Sequence, residues 1–125
     1  MATTVLLADD DDRFRTLVKA VLEDDGYDVV GEAADAPTAV ALAGQLRPDI
    51  VVLDLVMKGA DGLSTVRELL EAEPARPLLV LSSLFDPEVE QEVARLGARY
   101  LDKTEGVEAL EAAIDASVAA ARGDG

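Results

Sequence analysis

Ile50-Val51-Val52-Leu53-Asp54 is the stretch from which the rest of the chain can be read. Its four successive apolar residues leave no polar face, which suits a strand buried on both sides, as in a parallel sheet. The carboxylate of Asp54 follows at once and would emerge where that strand ends. Working outward, the same kind of run recurs as Val5-Leu6-Leu7-Ala8, Val29-Val30, Leu78-Leu79-Val80-Leu81 and, more weakly, Tyr100-Leu101.

Helical periodicity fills the intervals. Phe14, Leu17, Val18, Val21 and Leu22 follow the i, i+3, i+4, i+7, i+8 stripe, with Gly26 as a stop. Asp35-Ala36-Pro37 opens a second helix that carries Val40, Ala43 and Leu46 and ends at Pro48. Leu63, Val66, Leu69 and Leu70 mark a third, closed by Pro74. Asp86 caps a fourth with Pro87 at its first position, and Val89, Val93 and Leu96 lead to Gly97. Val107, Leu110, Ile114 and Val118 define the last, which is expected to fray at Gly123-Asp124-Gly125. Five strands and five helices in strict alternation, joined by right-handed crossovers, predict a doubly wound parallel α/β sheet with helices on both faces. No linker, repeat or low-complexity stretch interrupts the pattern, so residues 1–125 read as one domain with a core over about 4–118.

Composition narrows the chemistry. Half of the 125 residues are apolar but only Phe14, Tyr27, Phe85 and Tyr100 are aromatic, so the core must be built from Val, Leu, Ile and Ala. There is no cysteine and no histidine, which excludes disulfides, thiol nucleophiles, imidazole acid–base chemistry and the usual zinc sites. With 26 acidic and 11 basic residues the net charge is −15, a field that repels phosphate backbones and anionic lipid and argues against direct nucleic-acid or membrane binding. No apolar run approaches the roughly 20 residues of a membrane span. Met1-Ala2-Thr3-Thr4 carries no basic residue, and the short apolar run after it ends in four aspartates, unlike a signal peptide. A cytoplasmic location is expected.

Sites in such sheets lie beyond the carboxyl ends of the strands. There the first strand offers Asp9-Asp10, the third Asp54, the fourth Ser82-Ser83 and the fifth Asp102-Lys103. If the first and third strands are neighbours, three carboxylates converge, and two of them ~5 Å apart at an effective dielectric near 20 repel by roughly 3 kcal/mol. A hard divalent cation relieves this, and an all-oxygen set suits Mg²⁺. A carboxylate beside such a cation can attack phosphorus to give an acyl phosphate. Lys103 would then face the phosphoryl oxygens as counter-charge and Ser82 as neutral donor. Each residue also has an ordinary reading. Asp11 and Asp12 are best read as a solvated helix start. A lone Asp after a strand is usually a turn or cap residue, and a lone Lys or Ser is usually surface decoration. Their joint appearance at four strand ends favours the chemical reading.

Val5-Leu6-Leu7-Ala8-Asp9-Asp10, the segment Ile50 to Gly62, Val80-Leu81-Ser82-Ser83 and Tyr100-Leu101-Asp102-Lys103 together resemble the receiver domains of bacterial response regulators, from about Thr4 to Val118. The resemblance implies a flavodoxin-like sheet of order 2-1-3-4-5. It implies that Asp54 accepts a phosphoryl group from a histidine kinase, a phosphotransfer protein or a small donor. Asp9, Asp10, Asp54 and the backbone carbonyl of Val56 would hold Mg²⁺, while Ser82 and Lys103 grip the phosphoryl group. Tyr100 would be either the aromatic that changes rotamer on activation or filler on an edge strand. The face of the fourth helix, fifth strand and fifth helix would dock a protein partner or a second copy. Apart from its own phosphorylation and slow dephosphorylation, such a domain is not an enzyme. Two positions depart from the usual pattern: Lys58 and Thr104 stand where proline is common. The Thr104 variation and Val29-Val30-Gly31-Glu32-Ala33-Ala34-Asp35 are similar to the subgroup fused to helix-turn-helix output domains, so the chain reads as a stand-alone receiver or a piece of a longer regulator.

Two rivals compete. A haloacid-dehalogenase-type phosphatase also uses an Asp after a buried strand, but it wants a second Asp two residues on, where Val56 stands, and a cap domain. A receiver fold kept only for protein docking would have no need of three crowded carboxylates.

Overall fold

The computed structural model describes residues 2–57, 61–84 and 86–123. Strands and helices alternate as β1 (Thr4–Ala8), α1 (Asp12–Asp24), β2 (Asp28–Ala33), α2 (Ala36–Leu46), β3 (Ile50–Asp54), α3 (Gly62–Ala72), β4 (Leu78–Ser82), α4 (Pro87–Leu96), β5 (Arg99–Asp102) and α5 (Val107–Ala121). The strands form one parallel sheet in the order β2-β1-β3-β4-β5, as expected. This order sets β1 beside β3 with Ala8 opposite Leu53, so the residues that follow both strands emerge at one place.

Alternation along the strands divides the core into two layers. Leu6, Val51, Leu53 and Val80 face Ala39, Ala43, Val66, Leu69 and Val93, contributed by α2, α3 and α4. Val5, Leu7, Ile50, Val52, Leu79 and Leu81 face Val18 and Leu22 of α1 and Leu110, Ile114 and Val118 of α5. Every residue of β3 and β4 is buried, whereas the edge strand β5 has none fully buried. Complete burial of a side chain such as Leu22 or Ile114 contributes about 2 kcal/mol, which is how a core almost without aromatics holds.

Local chemistry sets the helix ends. The Asp11 carboxylate accepts the amides of Arg13 (3.0 Å) and Phe14 (3.3 Å), and Asp12 opens α1, as the sequence suggested for this pair. Asp35 accepts the Thr38 amide at 2.8 Å, and Asp86 those of Glu88 and Val89. Gly97, at φ 98°, closes α4 in a backbone conformation that disfavours a side chain.

The elements outrun their sequence signals in places. β2 continues through Gly31, Glu32 and Ala33 because β1 pairs with them, although they are not an apolar run. Lys103–Glu105 form a short 3₁₀ turn that periodicity did not reveal; Asp102 caps it by accepting the Thr104 amide (2.9 Å) and hydroxyl (2.6 Å). Lys58 and the fraying expected at Asp124-Gly125 lie outside the described residues. Among those described, no helix is long and apolar enough to cross a membrane.

Candidate functional site

Asp9 follows β1 and is fixed by its own amide, which donates to the Ala33 carbonyl at 2.9 Å. Asp54 ends β3. The two side chains are buried, at 2% and 6% exposure, while Asp10 is open to solvent. One carboxylate oxygen from each of Asp9, Asp10 and Asp54 lies within 4.8 Å of the others. Asp9 Oδ1 accepts the Asp11 amide at 2.8 Å, and Asp54 Oδ1 accepts the Val56 amide at 3.0 Å. Thus each buried carboxylate spends one oxygen on its own loop and points the other into the pocket.

Lys103 supplies the cation. Its Nζ donates to Asp54 Oδ2 at 3.2 Å and lies 2.6 Å from Asp9 Oδ2. The second contact is close but not aligned as a hydrogen bond, so the buried Asp9 Oδ2 has charge beside it and, among the described residues, no donor directed at it. On another side the ammonium stands 4.3 Å from the centroid of the Phe14 ring. Burial pushes the Asp54 carboxyl above the usual carboxylate range and Asp9 adds to this, against the opposing pull of the Val56 amide and Lys103. Burial alone would lower the Lys103 pKa, but the close pairing with Asp9 and Asp54 outweighs it, and the net shift is upward.

Among the described residues, three carboxylates and one ammonium leave two negative charges in a pocket lined by oxygen. That donor set, an orphaned buried oxygen and an open side at Asp10 fit a hard divalent cation.

The other expected residues sit at the rim. Ser82 ends β4 and is buried at 3% exposure, next to the strand that carries Asp54. Its hydroxyl donates to the Leu84 carbonyl at 2.8 Å and accepts the Leu84 amide at 3.3 Å, so it is engaged with its own loop. Tyr100, half-buried on β5, packs against the layer formed by α2, α3 and α4, and its hydroxyl reaches the same Leu84 carbonyl at 3.4 Å. Val56 is exposed and touches the site through its amide.

Three neighbours went unnoticed in the sequence. Arg15 donates to the Asp9 carbonyl, pairs with Asp12 and meets Glu32 Oε1 at 3.2 Å, tying the loop after β1 to the end of β2. The i, i+3 spacing from Asp12 was its only signal. Phe14 read simply as a core residue. Gly62 lies so close to the loop after β3 that an added Cβ would collide with the Leu55 carbonyl oxygen.

The sequence profile of the response regulator receiver domain matches residues 5–115, and the chain belongs to that family. It is 30% identical to the chemotaxis protein CheY of Thermotoga maritima over 99 residues, 79% of this chain and 82% of that protein. Its structure is similar to that of a two-component response regulator of the LuxR family from Aurantimonas sp. SI85-9A1, with a TM-score of 0.89, 30% identity, and coverage of 96% of this chain and 87% of that one. It is also 42% identical over 85 residues to a protein-glutamate methylesterase/protein-glutamine glutaminase of Alkalilimnicola ehrlichii, a match that covers 67% of this chain but only 22% of that protein. Receiver domains bind Mg²⁺ at an acidic cluster such as the one formed here.

Proposed function

We propose that Asp54 is the phosphoryl acceptor of this receiver. The observation that carries the proposal is a buried carboxylate at the end of β3, within hydrogen-bond reach of one lysine and grouped with two further carboxylates. Asp9, Asp10, Asp54 and the Val56 carbonyl would hold Mg²⁺, which when bound offsets the charge of the carboxylates and of the incoming phosphoryl anion.

An Asp54 oxygen attacks the donor phosphorus. The new O–P bond forms as the bond to the donor breaks, and the leaving group keeps that electron pair. A histidine kinase, a phosphotransfer protein or a small phosphoryl donor suits the step. Lys103 transfers its contact from the carboxylates to a phosphoryl oxygen, and the Ser82 hydroxyl turns from Leu84 to donate to another. Turning Ser82 frees the Leu84 carbonyl that Tyr100 also addresses, which links the pocket to the face formed by α4, β5 and α5. That face is the proposed docking surface for a protein partner or a second copy. The net charge of −15 disfavours nucleic acid as the partner and agrees with a cytoplasmic role. The only chemistry in this reading is the domain's own phosphorylation and slow dephosphorylation.

Incubation with acetyl phosphate or phosphoramidate and Mg²⁺ is expected to add one phosphoryl group that hydroxylamine removes. Asp54→Asn, which keeps the shape of the side chain but not its nucleophile, should abolish the label. Full labelling of Asp54→Asn by mass spectrometry would overturn the assignment.

A further inference from the structure

Among the described residues, Lys103 has three neighbours in the pocket: Asp9 Oδ2 at 2.6 Å, Asp54 Oδ2 at 3.2 Å and the Phe14 ring, with its centroid at 4.3 Å. The proposed function, on which this inference rests, gives both carboxylates other work, as cation ligands and as acceptor. A lysine carries its charge on a flexible four-carbon stem with no fixed direction. Once the carboxylates are engaged elsewhere, the ring face is the one of these three neighbours still free to attract the ammonium. That attraction arises from the ring quadrupole and does not compete for an oxygen.

The placement of Phe14 fits this role better than simple filling. It stands in the first turn of α1, four residues beyond Asp10, and is only half-buried at the margin of the layer shared with α5. A cavity of about 10 Å³ is lined by the ring together with Leu7, Val18, Val52 and Leu81. Phe14 packs against this layer and also turns a face to Lys103.

We propose that Phe14 is a positioning residue for phosphoryl transfer, its ring the seat that keeps the Lys103 ammonium over the pocket when Asp9 and Asp54 are engaged. The aromatic face aims the lysine, and the lysine touches the phosphoryl oxygens. A phenol ring would serve as well, whereas an aliphatic side chain of similar volume would preserve packing and lose the seat.

Phe14→Leu and Phe14→Tyr test this, with Phe14→Met as a second non-aromatic variant should Phe14→Leu fail to fold. The first readout needs no phosphoryl donor. In the unmutated chain and in Phe14→Tyr, the Lys103 Hε protons, assigned through Lys103→Arg, should be shifted upfield by the ring, with and without Mg²⁺. That shift should vanish in the non-aromatic variants. The second readout is phosphorylation by phosphoramidate at saturating Mg²⁺. The non-aromatic variants should slow about tenfold with unchanged Mg²⁺ affinity, and Phe14→Tyr should stay within about twofold of the unmutated chain. A Lys103 signal indifferent to the ring would overturn the proposal, as would a loss in Phe14→Tyr equal to that in Phe14→Leu or no loss in either. Absence of labelling in the unmutated chain would instead remove the acceptor assignment, and the Lys103 signal would still decide the seat.

Discussion

At the carboxyl ends of the strands, Asp9, Asp54 and Ser82 are 2%, 6% and 3% exposed, and Lys103 meets the carboxylates of Asp9 and Asp54. The amino ends differ in how their charges are partnered. Arg47, Arg76, Arg99 and Arg122 gather there, none with a carboxylate oxygen within 4.0 Å among the described residues. Arg47, Arg99 and Arg122 are exposed, and half-buried Arg76 finds only the Ala43 carbonyl, at 3.3 Å. Asp49 accepts the Thr4 amide at 2.8 Å and hydroxyl at 3.1 Å, and Asp115 accepts the Tyr27 hydroxyl. Solvated charges of this kind cost little and contribute little. Burying two carboxylates beside a third is costly, and the pocket keeps that cost where a cation and a phosphoryl group can exploit it. The amino end therefore preserves the fold, while the carboxyl end holds the chemistry at the expense of stability.

Two glycines give the sharpest way to break this contrast. Gly62, by the pocket, has the Leu55 carbonyl oxygen well inside van der Waals contact of where a Cβ would lie, so Gly62→Ala should destabilise by about 2–3 kcal/mol and disturb the loop after Asp54. Gly44 in α2 has nothing within 4 Å, so Gly44→Ala should stabilise by about 0.5–1 kcal/mol through helix propensity. Urea unfolding of both variants checks the pair, and equal effects would erase the distinction.

Asp54 provides the next test. Its carboxyl is raised in the folded chain, chiefly by burial, so its contribution to stability is intact below the unfolded value of 3.8 and is lost as pH rises through the folded value. Asp54→Asn should therefore melt above the unmutated chain once pH exceeds the folded value, and the gain should fade as pH falls toward 4. Melting curves for both proteins across that range decide it, and a gain independent of pH would mean that burial of the charge is not its source.

The smallest effect is expected from Arg99→Ala, at the exposed start of β5. Stability should change by no more than about 0.5 kcal/mol, with labelling of Asp54 unaltered. A larger loss, read by the same unfolding assay, would show that the amino end carries charge of structural weight.

Much of this was legible in the chain itself. Each buried strand announced itself as an apolar run, each helix as a stripe ended by Gly, Pro or Asp, and each acid of the site stood where a run stopped, because burial and helical geometry act on residues close in sequence. Periodicity reports one element at a time, however. Only the sheet order, with β1 beside β3, turned Asp9, Asp10 and Asp54 into one cluster. Only packing of α1 and β5 about that sheet set Phe14 under Lys103 and brought the Tyr100 hydroxyl to the Leu84 carbonyl. These contacts join residues far apart in sequence at distances of a few ångströms, and such distances are fixed by how the elements stack, which no local pattern encodes.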